Sequence, residues 1–239
     1  LQKGKDYLSP KIELLVDEAI DEESREKLKL SLEKKLYKLI EDELSDLVKL
    51  TKIKFENNYV RALCFQLFEN NGVLKRENIN QIVKNISKED RSKLKKVGIK
   101  IGRYHIFLPK MLKPNAVSLR IKLWKLFYPK DQKNIIPKSG LNFLKNEKMN
   151  SRKFLLICGF ENFNNFYVRA DILERLFLKI IDNTKNGMFK IDSDMINLIG
   201  CSKENFFELL KLMNYKPKKT TKNEEDLFIY QPSLHSKKN

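Results

Sequence analysis

Glycine and proline are scarce in this chain, 8 and 7 among 239 residues. Few positions therefore force a helix to stop, and a mainly helical body is expected. Cysteine is also rare. Cys64, Cys158 and Cys201 lie far apart and are odd in number, which excludes a disulfide framework and suits the reduced thiols of a cytoplasmic protein. Each falls in or beside an apolar run, where a cysteine serves as a small buried hydrophobe. Only two histidines occur, His105 and His235, and no C-x-x-C or H-E-x-x-H spacing offers a metal site. No glycine-rich phosphate loop or dinucleotide turn is present, so no residue is assigned to ATP, magnesium or catalysis. The longest clean apolar run, "FLLICGF" at 154–160, falls far short of the roughly 20 residues of a membrane span. Glu13, Asp17 and Glu18 interrupt the first apolar stretch, which excludes a secretory signal there. The chain opens on Leu1 rather than Met, which points to a fragment of a longer protein.

What the chain has in excess is positive charge. Lysine and arginine total 48 against 31 acids, a net charge of +17. Residues 1–50 hold 10 basic and 13 acidic side chains, net −3, whereas residues 84–153 hold 20 basic and 4 acidic, net +16. An AT-rich coding bias inflates lysine everywhere, but it does not remove acids from one stretch alone. A polyanion partner is therefore favoured over a merely solvated face.

Ile12, Leu15, Val16 and Ala19 make a helical stripe over 11–20, with Ser9 and Pro10 suited to its start. A second helix is expected over 22–50, along Leu28, Leu32, Leu36, Leu39, Ile40, Leu44 and Leu47. Together these form a helical arm, 1–52, able to dock a protein partner. A helical platform follows over 53–128. Asn58 is placed to cap one helix, Ser87 another over 88–97, and Gly98 ends the latter. "IKIGRYHIF", 99–107, alternates around Gly102 as a β-hairpin, and Pro114 opens a further helix. Residues 129–164 carry two prolines and many lysines with little periodicity, as a basic linker would. In 165–232 the pattern is helix, strand, helix, a tight turn at 200–202, helix and hairpin. That is the layout of a winged helix-turn-helix-like domain. Residues 233–239 form a disordered tail.

Two surfaces follow as candidates for nucleic acid. The first is the hairpin with its flanks: Lys96, Lys100, Arg103, Tyr104, His105, Lys110, Lys113, Arg120, Lys122 and Lys125. Lysine and arginine neutralise phosphates, and an exposed ring stacks on an unpaired base. Alternation places Tyr104 and Ile106 on one face and His105 and Phe107 on the other. Phe107 is expected in the core, and His105 serves at the rim rather than as a catalyst. The second surface is the third helix of the winged unit and its wing, with Lys203, Lys216, Lys218 and Lys219. The charge of that helix nearly cancels, so reading of duplex DNA is the weaker alternative.

"GIKIG", "FLPKMLKP" and "LRIKLW", within residues 98–124, resemble the C-terminal region of helicase-related proteins of alphaproteobacteria. Those proteins are similar to the RNA helicase of the mitochondrial degradosome, a superfamily-two motor. "VRADILERL" (168–176) and "GCSKENFFELLKLMNYK" (200–216) resemble later segments in the same order, and the likeness spans roughly 55–216. The resemblance implies an ATP-dependent RNA helicase as the parent, with upstream motor domains that alone would hold ATP and magnesium. For this chain it implies a non-catalytic accessory region that guides single-stranded RNA. The alternatives are a winged-helix DNA-binding regulator and a helical interaction scaffold using residues 11–50.

Overall fold

A computed structural model describes residues 1–15, 21–145, 151–218 and 227–230. The chain is mainly α-helical with three small antiparallel sheets. It forms two compact units, one of residues 1–136 with 156–159, the other of 137–155 with 160–239.

In the first unit the chain begins extended. Gln2 and Lys11 exchange two backbone hydrogen bonds, at 2.8 and 3.0 Å, and the Gln2 amide donates to Glu13. Residues 11–15 are therefore not helical, against the expectation for 11–20, and 16–20 lie outside the described residues. The bridge commits the Lys11 amide to a partner nine residues back, and Tyr7 and Leu8 pack on the core. Asp21 then caps helix α1, Glu22–Glu43, accepting from the Ser24 amide at 2.8 Å. The helix expected over 22–50 is broken at Leu44 (φ −111°, ψ 26°), and α2 runs Ser45–Lys52. The bend lets Ile40, Leu44, Leu47 and Leu50 all reach the core, which a straight helix drifting off one face would not do.

Helix α3, Asn58–Glu69, is capped by Asn57, one residue before the predicted cap, with its side chain accepting from Tyr59 N at 2.8 Å. Gly72, at φ +85°, donates to the Leu67 carbonyl and closes its C-terminus, a conformation only glycine adopts cheaply. Strand β1, Val73–Lys75, leads through the 3-10 turn Arg76–Ile79 into α4, Asn80–Lys84, and α5, Lys88–Lys96. Ser87 caps α5 as the sequence predicts, accepting from Asp90 N at 3.0 Å. Strands β2, Lys100–Ile101, and β3, His105–Phe107, form the predicted hairpin, and Gly102 N donates to His105 O at 2.8 Å across its turn. β1 adds to the far side of β3, with Val73 opposite Phe107, so β3 is central and all three of its residues are buried. The 3-10 turn Pro109–Leu112 precedes α6, Pro114–Phe127. The core gathers Leu47, Leu63, Leu67, Leu94, Ile106 and Leu123 from these helices and the sheet.

The second unit begins in the stretch expected to be a linker. That stretch carries β4, Phe143–Lys145, α7, Arg152–Ile157, and β5, Phe160–Phe163. β4 and β5 flank β6, Phe166–Arg169, in one antiparallel sheet. Short strands with partners some twenty residues away leave little local periodicity, which is why the segment reads as unstructured. Helix α8, Ala170–Asp182, follows, with Ile172, Leu173, Leu176 and Ile180 buried. Then come β7, Thr184–Lys185, β8, Met188–Lys190, α9, Ser193–Ile199, α10, Lys203–Leu212, β9, Lys216–Pro217, and β10, Leu227–Ile229. Asp192 caps α9 and Ser202 caps α10, as predicted. Gly200, at φ +77°, makes the turn between these two helices. The last sheet has the order β7-β8-β10-β9. No helix among the described residues is long and apolar enough to cross a membrane.

Candidate nucleic-acid interface

The first candidate surface lies wholly in the first unit and is organised by Asp46. This residue opens α2 on its apolar stripe, four residues before Leu50, and its carboxylate is buried. Its Oδ1 accepts from Lys110 Nζ at 3.0 Å and lies 3.5 Å from Lys49 Nζ. A Cβ placed on Gly98 would stand 3.2 Å from its Oδ2. One carboxylate thus draws together α2, the turn between α5 and β2, and the 3-10 turn after β3. An acid on an otherwise apolar helical stripe is the sequence signal for such a buried partner.

Of the ten hairpin-region candidates, four are exposed and make no ion pair among the described residues: Lys96, Lys100, Lys113 and Lys122. Lys96 ends α5 and Lys100 lies on the edge strand β2, either side of Gly98. Lys113 occupies the N-cap of α6, where no side chain caps the helix and its first turn holds no acid. A cation is electrostatically unfavourable at that end of a helix, whereas an anion is favoured there. Lys122 lies on the exposed face of the same helix.

Three candidates need correction. Arg120 is fully buried, at 0% exposure, and its Nη1 donates to the Met111 carbonyl at 2.7 Å. It sits midway between Ala116 and Trp124, four residues from each, so helical phase carries it to the apolar side of α6. His105 is 1% exposed, because β1 covers the central strand on which it lies and sets Lys75 opposite it. Neither side chain is presented to a phosphate. Lys110 is exposed but held by Asp46. Lys125 is half-buried. Arg103 and Tyr104 are half-exposed at the hairpin turn.

Arg76 is a residue that charge counting overlooks. Its Nη1 donates to Gly102 O at 2.7 Å and its amide to Tyr104 O at 2.9 Å. It therefore fixes the turn that carries Arg103 and Tyr104. No local pattern announces a contact across 26 residues.

In the second unit, Lys203, Lys216 and Lys218 are exposed, and Lys219 lies outside the described residues. Ser202 accepts from Asn205 N at 3.3 Å at the start of α10, and Lys203 Nζ lies 5.7 Å from the Phe207 ring. Hydrogen bonds from its own amide and from Ser202 hold the Glu204 carboxyl below its ordinary range. A charged acid beside Lys203 opposes phosphate at this helix start. Among the described residues no group of three or more His, Cys, Asp or Glu side chains is placed to hold a metal ion.

No family model, no curated protein and no solved structure matches this chain.

Proposed function

We propose that the chain is a non-catalytic accessory region of a helicase-like protein that binds single-stranded RNA through its first unit. One observation carries this reading. Lys96, Lys100, Lys113 and Lys122, all from the acid-poor stretch, stand exposed and without ion pairs among the described residues. Arg103 and Tyr104 flank them at a turn held by Arg76. A half-exposed ring beside free ammonium groups suits unpaired bases better than a closed duplex. The relation to degradosome-type RNA helicases, the upstream motor and a cytoplasmic setting belong to the same reading and rest on the sequence resemblance.

Within this reading the run α8, β8, α9, α10, β9, β10 is a winged helix-turn-helix. Support comes from the element order, from the glycine turn joining α9 to α10, and from β9 and β10 pairing onto β8. Its third helix exposes Lys203 and Lys211 with Glu204 and Glu208, a balance that favours an accessory role over major-groove reading.

A salt titration tests the proposal. Neutralising four phosphates of a single strand gives a log–log slope near about −2.8. A flat titration on a single-stranded RNA would remove it. Tighter binding to duplex DNA than to that RNA would transfer the function to the winged unit. Absence of both activities, with a stable protein complex through α1, would favour the scaffold. That outcome has its own support in the exposed Leu28, Leu30 and Leu39.

A further inference from the structure

Arg120 has a second consequence, independent of RNA. Its guanidinium is fully buried, and Nε and Nη2 make no hydrogen bond. It forms no ion pair with a carboxylate among the described residues. Arginine does not give up its proton at physiological pH, so a fixed positive charge sits inside the first unit. A lone buried charge is costly unless something of opposite sign accompanies it.

Two acidic side chains act on that charge, Tyr7 and Cys158. Tyr7 is the poorer counter-ion. Its Oη donates to the Arg120 carbonyl at 2.6 Å, which uses the proton it would have to lose, and burial raises its phenol further. Cys158 belongs to the short segment Leu156–Gly159 that the first unit takes up. It is 5% exposed. Gly159 beside it is packed so closely that a Cβ there would meet Leu112 Cδ2 at 2.8 Å. Leu112 follows Met111, whose carbonyl accepts from the guanidinium. The sulfur and Arg120 therefore share one pocket wall.

We propose that Cys158 is held as a thiolate by the Arg120 guanidinium and is the oxidant-reactive thiol of this chain. Burial alone would keep a thiol protonated, as it does for Cys64 and Cys201, each pushed up to about 11 by desolvation. At Cys158 the balance differs, because ionising the sulfur turns a buried net charge into a neutral pair. The partner is a small peroxide, which a nearly closed site admits where a bulky electrophile is refused. The thiolate sulfur attacks one peroxide oxygen, an S–O bond forms, and the O–O bond breaks. Hydroxide leaves with the bonding pair when the peroxide is hydrogen peroxide. The sulfur is oxidised to a sulfenic acid and the peroxide is reduced.

Thiolate absorbance of the full chain, followed against pH and compared with Cys158→Ser, tests the ionisation directly. The expected result is one thiolate already present at neutral pH that the substitution removes. A difference signal rising only above the ordinary thiol value of about 8.5 overturns the proposal. Hydrogen peroxide is then applied at pH 7, with the modified site located by mass. Cys158 should oxidise about tenfold or more faster than Cys64 and Cys201. Equal rates at all three count against it. Arg120→Met should abolish the early ionisation, and retention of it in a folded variant also overturns the pairing. Should that variant not fold, the comparison with Cys158→Ser still decides.

Discussion

Lysine borders a small sheet in both units, yet the two settings differ. Around β2 and β3 the basic side chains sort into three fates. Arg120 is buried, Lys110 is bound to Asp46, and Lys96, Lys100, Lys113 and Lys122 remain exposed without ion pairs among the described residues. Around β9 and α10, Lys203, Lys216 and Lys218 are all exposed, but exposed Glu204 and Glu208 stand on the same helix as Lys203. The first region hides part of its charge and leaves the remainder with few acids nearby. The second displays its lysines beside carboxylates. The sign and count of charges along a chain are thus a poor guide to the field outside it. Helical phase and neighbouring acids decide how much of that charge a polyanion meets.

The largest effect that sharpens this contrast concerns the body carrying the first surface. Trp124→Ala should cost about 3–5 kcal/mol by denaturant unfolding, since the indole is 2% exposed on the buried side of α6. Lys122, two residues away, should tolerate alanine within about 0.5 kcal/mol. Next comes binding. Replacing Lys96, Lys100, Lys113 and Lys122 together by glutamine should flatten the RNA salt slope by about 0.7 for each lysine. An unchanged slope would erase the distinction between the two regions. Gly200→Ala should cost about 1 kcal/mol, because residue 200 sits at φ +77° between α9 and α10. Thermal melts report this in the second unit. Asp46→Asn should cost about 0.5–1 kcal/mol, a modest loss because Lys110 and Lys49 are more than half exposed. It should also strengthen RNA binding slightly by freeing Lys110. Smallest of all, glutamine at Lys203, Lys216 and Lys218 should leave single-stranded RNA affinity within about twofold. A larger loss would move the contact to the second unit.

Local signals were legible in the sequence where they act locally. Ser87, Asp192 and Ser202 sit as caps, Gly102 turns the hairpin, and Pro114 opens α6. What was not legible depends on distant pairing. β1 is three residues long and gains strand character only from β3, some thirty residues on. β4 depends in the same way on β6. Leu44 lies on the same stripe as Leu36 and Leu47, so nothing local marks the bend there. In the candidate interface the exposed lysines were identifiable by type. The burial of Arg120 was written in its four-residue spacing from Ala116 and Trp124, but charge outweighed phase in that assignment. The roles of Asp46 and Arg76 need tertiary contacts that no spacing reveals.

Helix α1 has a property that its length conceals. Every residue from Asp21 to Ser31 is exposed, held by the Asp21 cap and the Glu23–Lys27 pair rather than by a core. Its opening turns should then exchange their amide hydrogens on the timescale of helix–coil fraying, while those near Ile40 and Leu44 wait for cooperative opening of the unit. A single helix would report two separate stabilities to an isotope-exchange experiment.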